Sequence, residues 1–179
     1  MKIHCATSNP GKLREFQLAA PDFEIVPVVL PAPEETGRTF EENALLKARY
    51  YGAHVDGYLF VDDSGIEVDA LGGRPGVDSA HFDNAWLLDQ LRGVENRTAR
   101  FVCVIALVFG QEAKLFRAEV EGRVIHEPRG SNGFGYDPIF YYEPFGCTFG
   151  EADTEAKMRV SHRAQALRQM FTFLRNASI

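Results

Sequence analysis

A chain of 179 residues with 45% hydrophobic and 25% charged residues can bury one good core, and a single globular domain over residues 1–179 is expected rather than a disordered chain. Its net charge of −6 argues against general affinity for nucleic acid, which needs a basic face to displace counterions, but leaves open a small polyanion met by a basic pocket or a divalent cation. The longest apolar run, Phe101 to Phe109, is far too short to cross a bilayer, and Met1-Lys2-Ile3-His4 shows no leader pattern, so a cytoplasmic setting without a membrane partner is expected.

The first predicted elements are an alternating strand, Lys2 to Ala6, and a helix on which Leu13, Phe16 and Ala20 share one face. Thr7-Ser8-Asn9-Pro10-Gly11-Lys12 lies between them. Asn9 suits an N-cap and Pro10 suits the first helical position, where its missing N–H costs nothing. The N–H groups of that first turn, the hydroxyls of Thr7 and Ser8, and Lys12 can together hold phosphate. Plain helix capping accounts for the same residues, and the Walker pattern is absent.

A second helix is predicted from Thr39 to Arg49, with Phe40, Ala44 and Ala48 on its apolar face and Asn43 and Lys47 together at the border. Thr39 and Glu42 resemble a capping box, while Glu34 and Glu35 stand in the preceding loop, free to meet a metal. Lys47 either snorkels to water or points at an anion.

Tyr58-Leu59-Phe60-Val61 reads as a short buried strand, followed by Asp62-Asp63, a turn at Ser64-Gly65, renewed alternation through Ile66, Val68 and Ala70, and a break at Gly72-Gly73-Arg74-Pro75-Gly76. Two carboxylates at the carboxyl end of a strand are placed where α/β sheets bind ligands, and could hold a metal. An ordinary turn, which Asp, Ser and Gly favour for local reasons, explains the same four residues. Neighbouring strand residues face opposite ways, so one carboxylate of the pair should dominate any site.

Further on, three glycines surround two aromatics in Gly130-Ser131-Asn132-Gly133-Phe134-Gly135-Tyr136-Asp137-Pro138-Ile139-Phe140. Such a loop can approach a ligand closely and offer a ring for a base to stack on, with Asp137 accepting from ring N–H groups; a crossover loop with aromatic plugs is the competing reading. Lys157 precedes Ser161-His162-Arg163, which opens a last helix with Ala164, Leu167, Phe171 and Leu174 on one face. A cation in that first turn opposes the helix dipole unless an anion compensates it. Cys5, Cys103 and Cys147 are odd in number and widely spaced, which favours free thiols. Lysine is rare, with five Lys against fourteen Arg, yet Lys12, Lys47 and Lys157 fall inside these segments, where a compact ammonium suits a phosphate oxygen.

Taken in order, Thr7 to Lys12, Phe40-Glu41-Glu42-Asn43-Ala44 with Lys47-Ala48, Asp62-Asp63-Ser64-Gly65, Phe134-Gly135-Tyr136-Asp137-Pro138 and Ser161-His162-Arg163 resemble the inosine triphosphate pyrophosphatase family, nearly end to end. That resemblance implies an elongated α/β fold of two lobes around a long mixed sheet flanked by helices, an active site in the cleft between lobes, and a homodimer. It implies hydrolysis of ITP, dITP and XTP to the monophosphate and pyrophosphate with Mg²⁺ as cofactor. Carried over by position, Asp63 is the general base and a metal ligand, with Glu35 its acidic partner and Glu34 and Asp62 further candidates. Thr7, Ser8, Asn9, Pro10, Gly11, Lys12 and Ser64 fall to the triphosphate, and Lys12 and Lys47 assist catalysis. Phe134, Gly135, Tyr136, Asp137, Lys157, His162 and Arg163 fall to the nucleoside. The segment Ser79-Ala80-His81-Phe82 departs from the family: His81 stands where the family usually has Arg, and the loop to Trp86-Leu87-Leu88 is shorter, so no lid or dimer role is carried over to it.

The chemistry is consistent with these residue types. Attack at a phosphoryl centre needs positioned water and neutralised oxygens. An unperturbed Asp is a weak base near neutral pH, so activation is expected to lean on the metal. Deaminated purines carry a 6-oxo acceptor where adenine carries an amino donor, and donors such as Lys157 or Arg163 reward the former. A pyrophosphatase for other modified nucleotides and a nucleotide-binding regulator without hydrolysis are the alternatives.

Overall fold

The computed structural model describes residues 1–177. Its seven-stranded mixed sheet has the order β2-β1-β3-β4-β5-β6-β7. The strands are β1 (Lys2–Cys5), β2 (Glu24–Pro27), β3 (Leu59–Val68), β4 (Thr98–Phe109), β5 (Glu112–Val124), β6 (Phe140–Tyr142) and β7 (Cys147–Thr148). β1 runs parallel to β2, pairing Lys2 with Glu24, and parallel to β3, pairing Cys5 with Phe60. β6 runs antiparallel to both β5 and β7. The helices are α1 (Pro10–Ala19), α2 (Phe40–Gly52), α3 (Asn84–Gln90), α4 (Thr154–Val160) and α5 (His162–Ala177), with short 3₁₀ turns that include Gly76–His81 and Asp137–Ile139. No described helix is long and apolar enough to cross a membrane.

The chain forms two compact units, one of Met1–Asp63, Cys103–Ala118 and Arg163–Ile179, the other of Ser64–Val102 and Glu119–His162. In the first, Phe16 of α1, Ala20 just beyond its end, and Leu167, Met170, Phe171 and Leu174 of α5 bury against Ile3, Cys5, Phe60, Ile105 and Leu107 of the strands. The apolar faces expected of the first and last helices are therefore the faces that form this core. In the second unit Ile66, Phe101, Val120, Phe140 and Phe149 form a separate core, with Phe101 and Phe140 rings 4.2 Å apart.

The structure corrects two elements. Asp62-Asp63-Ser64-Gly65 does not end a strand, because β3 continues through it from Leu59 to Val68. Gly65 is needed for close approach instead of a turn: a Cβ there would strike Gly76 O and Ser79 Oγ. Ser79 Oγ lies against this part of the strand and accepts a 2.9 Å bond from Ile66 N. A glycine within a strand marks such an approach as readily as a bend. Lys157, second, belongs to a helix of its own, α4, capped by Asp153 Oδ1 on Ala156 N, with Ser161 extended between α4 and α5.

Gly65→Ala is expected to destabilise the protein by about 1–3 kcal/mol through overpacking against Gly76 and Ser79. Denaturant unfolding of the variant, with an unchanged slope and a lower midpoint, is the check.

Candidate active site

In the first unit, Asp62 is surrounded by cations. Its Oδ1 lies 3.0 Å from Lys12 Nζ and its Oδ2 3.1 Å from Arg163 Nε. Arg163 passes the charge on, with Nη1 2.7 Å from Glu15 Oε2, and the side chains of Asp62, Arg163 and Glu15 are 2%, 3% and 6% exposed. Two acids and two bases thus form a neutral buried chain, the arrangement in which ions leave water without net charge. Burial alone would raise the Asp62 pKa, yet Lys12, Arg163 and Lys47 outweigh it and hold the carboxyl well below the usual range. The two carboxylates also offset the unfavourable dipole at the start of α5, where Arg163 sits. Cys103 Sγ, 3.9 Å from Asp62 Oδ2, is itself held protonated by burial and by that negative charge.

The next residue has a different fate. Asp63 Oδ1 takes 3.1 Å from Lys47 Nζ, the same ammonium that reaches Glu35 Oε1 at 2.8 Å and Asp62 O at 2.8 Å. All three ammonium protons are thereby directed. Asp63 Oδ2 is buried and accepts no hydrogen bond among the described residues. Burial is the largest influence on this carboxyl, and Glu35 and Asp62 add to it; against the lowering pull of Lys47 the pKa comes to about 6. Burial also works against the Lys47 charge, but Asp63, Asp62 and Glu35 outweigh it and raise its pKa.

The loop that carries Glu35 is fastened to the start of α2. Gly37 N donates to Asn43 Oδ1 at 2.8 Å, Thr39 Oγ1 accepts from Glu42 N at 3.1 Å, and Arg38 N donates to Glu42 Oε2 at 2.6 Å. Glu42 thus reaches one residue beyond the cap, to Arg38, where the expected capping box would return to Thr39. Asp63 and Glu35 are the carboxylates that could hold a cation here. Among the described residues no three His, Cys, Asp or Glu side chains gather into a metal cage. A hard cation such as Mg²⁺ needs none, since it takes one or two carboxylates and completes its shell with water and phosphate.

At the start of α1, Asn9 Oδ1 accepts from Gly11 N at 2.9 Å and Lys12 N at 3.3 Å, and Thr7 Oγ1 accepts from Asn9 N at 3.1 Å. Those N–H groups are satisfied by the loop itself. Ser8 is exposed and Pro10 occupies the first turn, as its fixed φ favours.

The second unit holds the other expected group. Asp137, 2% exposed, lies with Oδ2 2.6 Å from Lys157 Nζ and 3.0 Å from Phe134 N, and Lys157 Nζ sits 4.9 Å from the Phe134 ring centre. A Cβ on Gly133 would collide with Asp137 Oδ2, which explains a glycine there at φ +70. The Tyr136 hydroxyl lies 2.7 Å from Ser79 O and 3.0 Å from Phe82 O. His162 stacks on Phe101 with centroids 4.6 Å apart, and Ser64 follows Asp63 on β3, half-buried. Gly135, at φ +60, separates the two aromatics.

A family model described as the Ham1 family matches residues 3–173. The chain belongs to the Ham1 family. A dITP/XTP pyrophosphatase of Symbiobacterium thermophilum is 50% identical over 93% of this chain and 91% of its own length. One of Exiguobacterium sp. is 44% identical over 95% of each. Among solved structures, a Ham1 protein of Staphylococcus aureus is 36% identical at a TM-score of 0.87, covering 99% of this chain and 100% of its own. One from Coxiella burnetii is 37% identical at 0.88, covering 98% and 99%.

For this Ham1 chain, sequence reasoning overlooked Glu15 and Cys103. Glu15 left a signal: it stands beside Phe16 and three residues after Lys12, a charge on the buried side of α1. Cys103 left none, being one apolar position among many in β4.

Two substitutions separate the neighbouring carboxylates. Asp62→Asn should destabilise by about 3–5 kcal/mol, as it leaves Lys12 and Arg163 underpaired in the interior. Asp63→Asn should stabilise. The folded state raises this pKa from 3.8 to about 6, so between those values it binds more protons than the unfolded state and loses stability as pH rises. Asn mimics the protonated form, and a gain of about 1–3 kcal/mol is expected at pH 8 in EDTA, measured by denaturant unfolding.

Proposed function

We propose that this protein hydrolyses deaminated purine nucleoside triphosphates, dITP, XTP and ITP, to the monophosphate and pyrophosphate. The observation that carries the reading is the divided carboxylate pair, in which Asp62 stays ionised between two cations while Asp63 has a buried unpartnered oxygen and a pKa of about 6. A carboxylate in that range accepts a proton from water far more readily near neutral pH than an ordinary aspartate. The names of its Ham1 relatives, dITP/XTP pyrophosphatases at 44% and 50% identity, support the substrate class.

In this mechanism Asp63 orients water and takes its proton as the oxygen attacks the α-phosphorus, the bond from that phosphorus to the α–β bridging oxygen breaks, and pyrophosphate leaves with the electron pair. Mg²⁺, held by Asp63 and Glu35, would neutralise phosphate oxygens and increase the acidity of water. Lys47 keeps the two carboxylates together, which sets their spacing before substrate arrives. Lys12 presents an ammonium at the first turn of α1 and is steadied there by Asp62. A triphosphate could meet it together with Ser8, and could compete with Asn9 for the Gly11 and Lys12 N–H groups. Thr7 and Pro10 shape that loop, and Ser64 offers a further hydroxyl beside Asp63. In our reading Asp62 and Arg163 brace the first unit, so base recognition rests on Phe134, Asp137, Lys157 and His162. Phe134 supplies a face for stacking, and the Lys157 ammonium a donor for a 6-oxo group.

We also propose a homodimer in the cytoplasm. The likeness to inosine triphosphate pyrophosphatases supports the dimer, and three free cysteines suit a reducing compartment.

With Mg²⁺ present, purified protein should release pyrophosphate from dITP and XTP with kcat/KM at least about a hundredfold above that for dATP, given two polar contacts of ~1–3 kcal/mol each. Absence of pyrophosphate release from every deaminated purine triphosphate would sink the reading. Asp63→Asn should lower kcat by about 10²–10⁴. On the acid side, kcat/KM should fall as Asp63 takes up its proton, and because a cation on this carboxylate favours its ionised form, the fall should move to lower pH as Mg²⁺ is raised. An acid limb that does not move with Mg²⁺ concentration contradicts Asp63 as a base that also holds the metal.

A further inference from the structure

The segment from Gly76 to Trp86 includes the stretch that departs from the family pattern, yet the structure fastens it at both ends. On one side Ser79 Oγ accepts from Ile66 N at 2.9 Å, and Gly65 lets Gly76 and Ser79 close onto β3. On the other side three contacts reach the glycine-aromatic loop. The Tyr136 hydroxyl donates to the carbonyls of Ser79 and Phe82, at 2.7 and 3.0 Å, and Asn84 Nδ2 donates to Gly135 O at 3.2 Å. Within the segment Phe82 stacks on Trp86 with centroids 3.9 Å apart.

These contacts fall on the two residues between Phe134 and Asp137. Gly135 has φ +60 and no side chain with which to anchor itself, so its carbonyl and the following phenol tie this backbone to the neighbouring segment, while Lys157 and Gly150 N hold the Asp137 end. Asn84 is informative in a second way. Its Oδ1 is buried and has no partner among the described residues, so the side chain leaves one polar atom unsatisfied while its amide clasps Gly135.

We propose that Asn84 and the hydroxyl of Tyr136 are positioning residues for base selectivity, clasping the Phe134–Asp137 loop to the Gly76–Trp86 segment so that its ring and carboxylate are held ready before a purine arrives. The proposal rests on the functional reading above. Tyr136 thereby acts through its hydroxyl on the protein backbone, apart from any contact its ring makes with a base. Loop order of this kind is felt in binding and discrimination, since an unclasped loop must be ordered at the expense of the substrate's binding.

The test compares wild type with Asn84→Ala, Asn84→Asp and Tyr136→Phe, using dITP and dATP in steady-state kinetics. Asn84→Ala removes the clasp together with the unsatisfied oxygen, so its melting temperature should stay close to wild type. Its KM for dITP should rise about fivefold, the worth of one neutral hydrogen bond, with kcat within about twofold. The preference for dITP over dATP should fall by a similar factor. Asn84→Asp keeps the shape and loses the donor, and should match Ala. In Tyr136→Phe the ring remains and KM should again rise, and the double variant should lose less than the product of the two because both residues hold one loop. An unchanged KM and unchanged preference in both Asn84 variants overturns the proposal, as does a fall in kcat with KM intact. Trp86, the single tryptophan, supplies a readout without turnover. Its emission in the nucleotide-free protein should shift in Tyr136→Phe and Asn84→Asp, and no shift in either overturns the clasp. Should wild type release no pyrophosphate from dITP, the functional reading fails, while the Trp86 emission still decides the clasp.

Discussion

The carboxylate of Asp62, set between Lys12 and Arg163, is the constraint on which the first unit's chemistry depends. It draws residues from four separate stretches of chain, α1, β3, β4 and α5, to one point, with Glu15 closing the charge balance and Cys103 beside it. A buried charge is tolerated only when it is paired, and here the pairing also does something for its neighbour. Asp62 takes the strong cations, so Asp63 is left with one ammonium that it must share with Glu35. Two identical side chains, one peptide apart, are thereby driven in opposite directions: one is fixed as an anion, the other raised to a pKa of about 6. Such divergence, in a pair of which one oxygen is buried without a partner among the described residues, points to Asp63 as the group with chemistry to do.

The second unit answers a different physical demand. Asp137 and Lys157 are both buried and neutralise each other at 2.6 Å beside the ring of Phe134. Glycine occurs where a side chain would intrude, at Gly133 against Asp137, and at Gly65 against Gly76 and Ser79. The loop so built has polar groups satisfied before any ligand is present, which lowers the ordering cost of binding.

Much of this was legible in the chain. The helix starting at Pro10 with Asn9 as its cap, the buried face of Phe16 and Ala20, the helix of Lys47 and the apolar stripe of the last helix all follow from periodicity and capping chemistry, which are local. What remained hidden is tertiary. Gly65 looked like a turn because close approach by Gly76 and Ser79, eleven and fourteen residues later, leaves no local mark. Glu15 was passed over because its partner Arg163 lies 148 positions away. Arg163, assigned to the nucleoside by the resemblance, lies between two buried carboxylates, a pairing that the sequence did not announce. The N–H groups at the start of α1, expected to be open to phosphate, are met by Asn9. Strand alternation could say only that Asp62 and Asp63 face opposite ways, the preference for Asp63 came from the family resemblance, and the unequal sharing of cations needed the structure.

The most direct measurement is a ¹³C NMR titration of the aspartate carboxyls in the metal-free protein, with Asp63→Asn and Asp62→Asn used to assign the two signals. The account predicts one carboxyl that titrates near 6 and disappears in Asp63→Asn, and another that stays ionised to the lowest pH at which the fold persists and disappears in Asp62→Asn. Two carboxyls titrating together in the ordinary aspartate range, or the reverse assignment, would contradict it.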